Sequence, residues 1–399
     1  MQATLLVRAE RWALLLLVFL LPLMEAPKNI ALVIYLVLWG VNRWRSGEWG
    51  GRWAVWDSLI LLLITTTLSS AMFGAFVPDK GIGSANDVLA YGLLFTAVRR
   101  SRYEPEMLRH LVKAASSGTL VGLVFGYWAF LVAKTGPYLV LHSVGHVNHS
   151  AIYLAIVLVV SIVWVEASQK KTKLFLLAAS GLMFVSLFVT QARGAIIPVL
   201  IFLLIWAGMR NKSALAFGRS LLLLAVLVTT VLELVPGAMD KTRSGVSSGE
   251  IGSYRPALAR VATLAVREYP WLGVGVNNFG KITPTLTEQW QQKSGRIFSN
   301  GQLFFASHAH NIYMTTLAER GVLGLLPLLA FLAAIAFNLL RSRRASFTDP
   351  LNKALWGGAL GVWVIAVVGG LFNTTLHHEH AMISMLFIAI WLQGLSRNT

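Results

Sequence analysis

Apolar runs close to twenty residues long recur from one end of this chain to the other, and they leave it few ways to fold. "LILLLITTTLSSAMFGAF" (59–76), "AIYLAIVLVVSIVWV" (151–165) and "GVLGLLPLLAFLAAIAFNLL" (321–340) are three of them. A helix needs about 20 apolar residues to cross roughly 30 Å of hydrocarbon. Inside lipid every backbone N–H and C=O must be paired internally, which a helix does within itself. A transmembrane barrel would show shorter, alternating segments instead. With 56% of its 399 residues hydrophobic and 13% charged, the chain has too little polar surface to be soluble. The expected fold class is an all-α polytopic membrane protein, one integral membrane domain over 1–399.

About twelve spans are expected, near 12–24, 29–41, 58–76, 86–98, 110–133, 149–166, 174–190, 195–208, 220–235, 321–340, 354–373 and 381–396. The first resembles a signal peptide in length, but a second apolar run follows at once and no small-residue cleavage site stands out. It reads as a retained helix. The loops sort into two sets. "NRWRSGEWGGRW", "VRRSRYEPEMLRH", "SQKKTK", "MRNKS" and "RSRR" are dense in Lys and Arg, whereas "MEAPKN", "FVPDKGIG", "AKTGPY" and "QARGA" hold one each. By the positive-inside rule the first set is cytoplasmic, and so are both termini. The net charge of +17 is therefore mostly topological, suits anionic lipid headgroups and does not imply nucleic acid. The chain has no cysteine, so neither a disulfide framework nor a thiolate metal site is available.

One connection breaks the pattern. Residues 236–308, between spans 9 and 10, form a long loop on the outer side, and loops of that length usually carry structure or function. "YRPALARVATLAVREYP" (254–270) predicts an amphipathic helix within it, with Pro256 in the first turn and Pro270 at the end. It is part of the membrane domain, not an independent one.

Few polar residues in the apolar half of the chain invite chemistry. His310 precedes span 10 in "SHAHNIYMTTLAERGVLGLL" (307–326) and can take a proton from a hydroxyl near neutral pH; an interfacial histidine at a helix cap is the plainer reading. Nine residues at about 100° each put Glu319 on the opposite helix face, where it more plausibly anchors the helix to a neighbour. Arg193, between two spans with hardly any loop, either snorkels to the interface or meets a phosphate. On the loop helix Leu258, Val261, Leu264 and Ala265 make the apolar face. Arg255 projects from one side of it, while Arg260 and Arg267 lie in line on a solvated or headgroup-facing side. "PWLGVGVNNFGK" follows, with Gly273, Gly275 and Gly280 permitting tight turns. "TTLHHEH" (374–380) and His308 raise the possibility of a metal site, but their spacing is not a specific ligand pattern and carboxylates are sparse on the outer side. No metal and no cofactor are expected.

Taken in order, "QARGA", "R…REYPWLGVGVNNF" and "HAHNIYMTTLAERGVLGLL" resemble the O-antigen ligase and polymerase superfamily of bacterial envelope glycosyltransferases. Arg193, Arg255, Pro270, Gly273, Gly275, His310, Asn311, Glu319, Gly321 and Gly324 occupy the matching positions. Gln191-Ala192 stands where a serine commonly precedes the arginine, and Met314 replaces the usual leucine. The resemblance implies a GT-C-like architecture in the bacterial inner membrane, with the active site on the periplasmic face. It implies an undecaprenyl-pyrophosphate-linked glycan as donor and a hydroxyl of lipid A–core as acceptor. His310, Arg193 and Arg255 would be catalytic; Asn311, Gly273, Gly275, His308 and Arg260 would bind substrate. Chain length and the single long loop look more like a ligase than a polymerase, the alternative acceptor being another lipid-linked glycan. A lipid-glycan flippase would be expected to place charges along a central cavity, whereas here the candidates collect at one face.

Overall fold

The computed structural model describes residues 5–76, 81–136, 138–141, 144–211, 213–234, 254–295 and 302–395. Residues 236–253 and 296–301 of the long loop lie outside the described residues. A helix stands at each of the twelve expected spans: α1 (Leu5–Leu20), α2 (Glu25–Ser46), α3 (Val55–Phe73), α4 (Gly81–Arg99), α5 (Pro105–Tyr127), α6 (Val147–Trp164), α7 (Lys170–Val189), α8 (Arg193–Arg210), α9 (Ala214–Leu234), α12 (Ile312–Ser346), α13 (Pro350–Val364) and α14 (His378–Leu395). The loop contributes α10 (Tyr254–Glu268) and α11 (Pro284–Ser294). No strand occurs among the described residues.

Eight of these helices are long and apolar enough to cross a membrane, so the protein is polytopic. Two of the eight, α5 and α13, gain length from a π-helical turn at their C-terminal ends. The other four depart from a clean span in identifiable ways. α1 has 16 residues, α2 carries Glu25, Lys28, Arg43 and Arg45, α4 begins with a polar half, and α14 opens on His378-Glu379-His380. Burial sorts the bundle. The spanning window of α6 is 78% buried, and it packs on α5, α7, α8, α13 and α14; that of α9 is 6% buried and leaves its apolar surface for lipid. The short basic connections share one end of the bundle. There Arg100 pairs with Asp57 at 3.0 Å and Lys353 with Glu166 at 2.9 Å.

At the other end the loop builds a core of its own. Leu258, Val261, Leu264 and Ala265, the face expected from the sequence, are buried with Val274, Phe279, Ile282 and Trp290. The loop is fixed to the bundle at one place. At Gly321 α12 breaks, with φ 64 and ψ −167, a region essentially confined to glycine. A broken helix leaves carbonyls and amides without partners, which lipid cannot satisfy. The turn at 270–276 supplies them. Val274 N–H donates to the Ala318 carbonyl at 2.9 Å and Gly275 N–H to that of Glu319 at 2.9 Å. In return Val322 N–H donates to the Pro270 carbonyl at 2.8 Å and Leu323 N–H to that of Trp271 at 3.3 Å. The Ser70 hydroxyl of α3 reaches the Leu272 carbonyl at 2.9 Å and the Glu319 carbonyl at 2.8 Å. The loop helices are thereby held over the ends of α3 and α12.

Candidate active site at the loop-facing end of the bundle

Three local features aim the expected catalytic residues. Gln191, at φ 55, turns the chain sharply between α7 and α8, so that Arg193 opens α8. Arg255 sits in the first turn of α10, which its buried apolar face presses onto α12 and the loop core. His310 adopts φ 48, a left-handed conformation uncommon for a residue with a Cβ, immediately before α12. Asn311 then caps α12, its side-chain oxygen accepting from the Tyr313 and Met314 amides at 2.9 and 3.0 Å.

The three come together around a segment that the sequence reading passed over. Ile312 N–H donates to the Gly370 carbonyl at 2.8 Å, and the Asn311 amide to the Leu371 carbonyl at 3.2 Å. Phe372 is the hub. The Arg255 guanidinium lies 5.1 Å from its ring centroid, a cation–π contact, and Gly194 packs so closely that a Cβ there would stand 3.2 Å from Phe372 Cβ. The side chain of the buried Asn373 lies beside that of His310 and favours its protonated form. Phe372 and Asn373 directly precede the "TTLHHEH" cluster, and no spacing rule connects them to residues 193, 255 or 310. The sequence signal available was their place in a short polar connection at the site's end of the bundle.

The electrostatics follow from the same proximity. Burial, then the Arg255 and His146 charges, pull the His310 imidazole below its ordinary range, and the Asn373 side chain partly offsets them. His310 is thus neutral at pH 7 with a lone pair to offer. Burial and then the neighbouring Arg193 pull Arg255 down from its ordinary value, although the Tyr254 phenol opposes them; a guanidinium still stays charged. Two guanidinium groups near enough to repel, one of them over an aromatic ring and with no carboxylate among the causes of its shift, form a place suited to a bound anion.

The other expected binding residues are placed less uniformly. His308 lies against His310 with the rings tilted and their centroids 4.3 Å apart, and its Nδ1 is 2.9 Å from the Ser307 hydroxyl; burial and then His310 lower it to about 4. Arg260 donates to the Gln302 carbonyl at 2.9 Å, within the loop. Gly273 and Gly275 face the protein itself: a Cβ on Gly273 would stand 2.3 Å from the Glu319 carbonyl carbon, and one on Gly275 2.6 Å from the Asn278 side-chain nitrogen. Their visible task is docking the turn, and Asn311's is capping. Glu319 is the expected anchor, its carboxylate accepting from Phe279 N–H at 3.3 Å.

Behind His308 lies a cavity of about 300 Å³, lined among others by His146, His149, His377, His378, Glu319 and Arg320. His308 is part of its wall, whereas His310, Arg193 and Arg255 are not. One expectation needs correcting here. Carboxylates were read as scattered on this face, yet Asp87 of α4 places Oδ2 2.8 Å from His378 Nδ1. Residues 291 positions apart meet through the packing of α4 on α14, which spacing cannot show.

Residues 178–329 match the family model described as O-antigen ligase. The matched stretch holds Arg193, Arg255, the docking turn, His310 and the broken start of α12; Phe372, Asn373 and the histidines beyond them fall outside it. No curated protein matches the chain.

Proposed function

We propose that this O-antigen-ligase-type membrane protein transfers a glycan from undecaprenyl pyrophosphate to a hydroxyl of lipid A–core, at the periplasmic face of the bacterial inner membrane. The observation that carries the reading is the convergence of Arg193, Arg255 and His310 on Phe372 and Asn373, from four separate parts of the chain.

The chemistry runs as a single displacement. The acceptor hydroxyl attacks the anomeric carbon, and the bond to the pyrophosphate oxygen breaks. Neutral His310 takes the hydroxyl proton, because an alcohol is a poor nucleophile until that proton leaves. Arg193 and Arg255 face the pyrophosphate, whose negative charge grows as the bond breaks. Fixed guanidinium donors stabilise that charge without reorganising. The bond energy arrives with the donor, so no nucleotide is needed. Asn373 favours the protonated imidazole, and Phe372 supports the Arg255 guanidinium. Catalysis sits at the bundle's end because both substrates are anchored in lipid.

The test is transfer in vitro. Purified protein, undecaprenyl-pyrophosphate-linked glycan and lipid A–core are combined, and the lipid A product is read by gel shift and mass. Glycan on lipid A–core is the expected result. Longer lipid-linked chains with unmodified lipid A–core would identify a polymerase, and no covalent product from competent substrates would sink the transferase reading.

A further inference from the structure

We propose that Asp87, His377 and His378 bind one divalent transition-metal ion of the zinc class, in a site separate from the transfer chemistry that fastens α4 to the start of α14. One donor atom from each of the three lies within 4.8 Å of the others, the group of this kind found among the described residues. Asp87 Oδ2 is 2.8 Å from His378 Nδ1 and 3.8 Å from His377 Nδ1.

The plain alternative is a hydrogen-bonded Asp–His pair. It accounts for His378 but not for His377. Nδ1 of His377 is shielded from solvent and has no hydrogen-bond partner among the described residues. A separation of 3.8 Å is too long for a hydrogen bond to Asp87. It suits two ligands of one ion: donors about 2.0–2.2 Å from a tetrahedral zinc stand about 3.4 Å apart. An ion seated between the three atoms would satisfy His377, and it would draw the pair into one coordination sphere. Two imidazoles and a carboxylate are the borderline donor set that zinc accepts and that magnesium or calcium does not favour. Water or His149 is left for the fourth position; the His149 ring centroid lies 5.9 Å from that of His377 and 5.8 Å from that of His378.

The surroundings permit the added charge. Lys28 and Arg320 are the nearby cations felt by Asp87 and His377. Lys28 is already paired with Glu379 and Glu25, and Arg320 lies beside Glu319. His378 is exposed, which gives an ion a way in. None of the three ligands is a residue assigned to proton transfer or to the pyrophosphate.

The experiment is a cobalt(II) titration of the purified full chain, prepared without a polyhistidine tag and stripped with a chelator. Cobalt reports its ligands through visible d–d absorption, so binding is read independently of glycan transfer. The expected result is saturation at one equivalent, with zinc bleaching the bands. His378→Ala and Asp87→Ala should each weaken cobalt binding by at least roughly 100-fold, since loss of even an outer-shell partner costs 10–100-fold. Absence of the bands at stoichiometric cobalt in the unaltered protein would overturn the site. So would bands untouched by either substitution, which would place the ion elsewhere. Because His378 is exposed, its variant should fold, and the unaltered protein decides the question without any variant.

Discussion

Gly321 of α12 lies against the main chain of Trp271, so close that a Cβ on the glycine would stand 2.2 Å from the Trp271 carbonyl oxygen. Gly321→Ala therefore meets both a steric block and a backbone conformation that side chains rarely adopt. Left-handed strain of this kind costs about 1–3 kcal/mol, before the lost hydrogen bonds of the turn are added. The expected outcome is a lower yield of folded protein and a loop that proteases cut near residues 270–276. Gly273→Ala should behave alike. Normal melting and protease resistance in both variants would show that the docked turn contributes little.

His310→Ala should leave the protein inserted and folded but remove transfer, because the imidazole beside Arg255 and Asn373 is the base held neutral there. His308→Ala should matter less, as its ring only flanks His310 and its Nδ1 is engaged with Ser307. Transfer at an unchanged rate by a well-expressed His310 variant would dismiss the general-base role.

Arg193→Lys and Arg255→Lys should each lose roughly a hundred- to a thousandfold in rate, equivalent to about 2.7–4 kcal/mol of transition-state stabilisation. Lysine keeps the charge but not the planar fork, and at Arg255 it also loses the guanidinium contact with the Phe372 ring. Full activity in both variants would mean that the donor is held in some other way.

The pH–rate profile should rise through the pKa of His310 and then level off, with that rise falling below the usual histidine range. Arg255 holds the His310 pKa down, so Arg255→Gln should move the acid limb to higher pH as well as slowing the reaction. The Asn373 side chain holds it up, so Asn373→Ala should move the limb to lower pH. Limbs that stay put in both variants would place the titrating group elsewhere.

Chelation should leave transfer intact at temperatures where the stripped protein stays folded, while lowering its melting temperature, because an ion on Asp87 would tie helices together without touching the reacting atoms. Activity that disappears with EDTA and returns with one added ion, at unchanged melting temperature, would put the metal into the chemistry.

Much of this architecture was legible in the chain itself, because lipid imposes a length and a polarity on every segment that crosses it. The start of α12 was readable from Asn311, whose side chain is suited to exposed amides, and the inward face of α10 from the spacing of Leu258, Val261 and Leu264. What stayed hidden depends on contacts between distant parts of the chain. Phe372 and Asn373 sit in a short connection with no motif, and only the packing of α13, α8 and α12 makes them a hub. Asp87 is one aspartate in a helix until α14 lies beside it. The glycines were noticed for the right property and given the wrong neighbour: Gly273 admits a close approach, but what approaches is the main chain at Glu319.

The broken span also has a consequence for biosynthesis. Residues 270–276 leave the ribosome before residues 318–323, so the turn is made before the helix that needs it. Until the two meet, the helix carries four backbone groups that hydrocarbon cannot solvate. Completion of that helix's backbone hydrogen bonds and docking of the loop are for this reason one event.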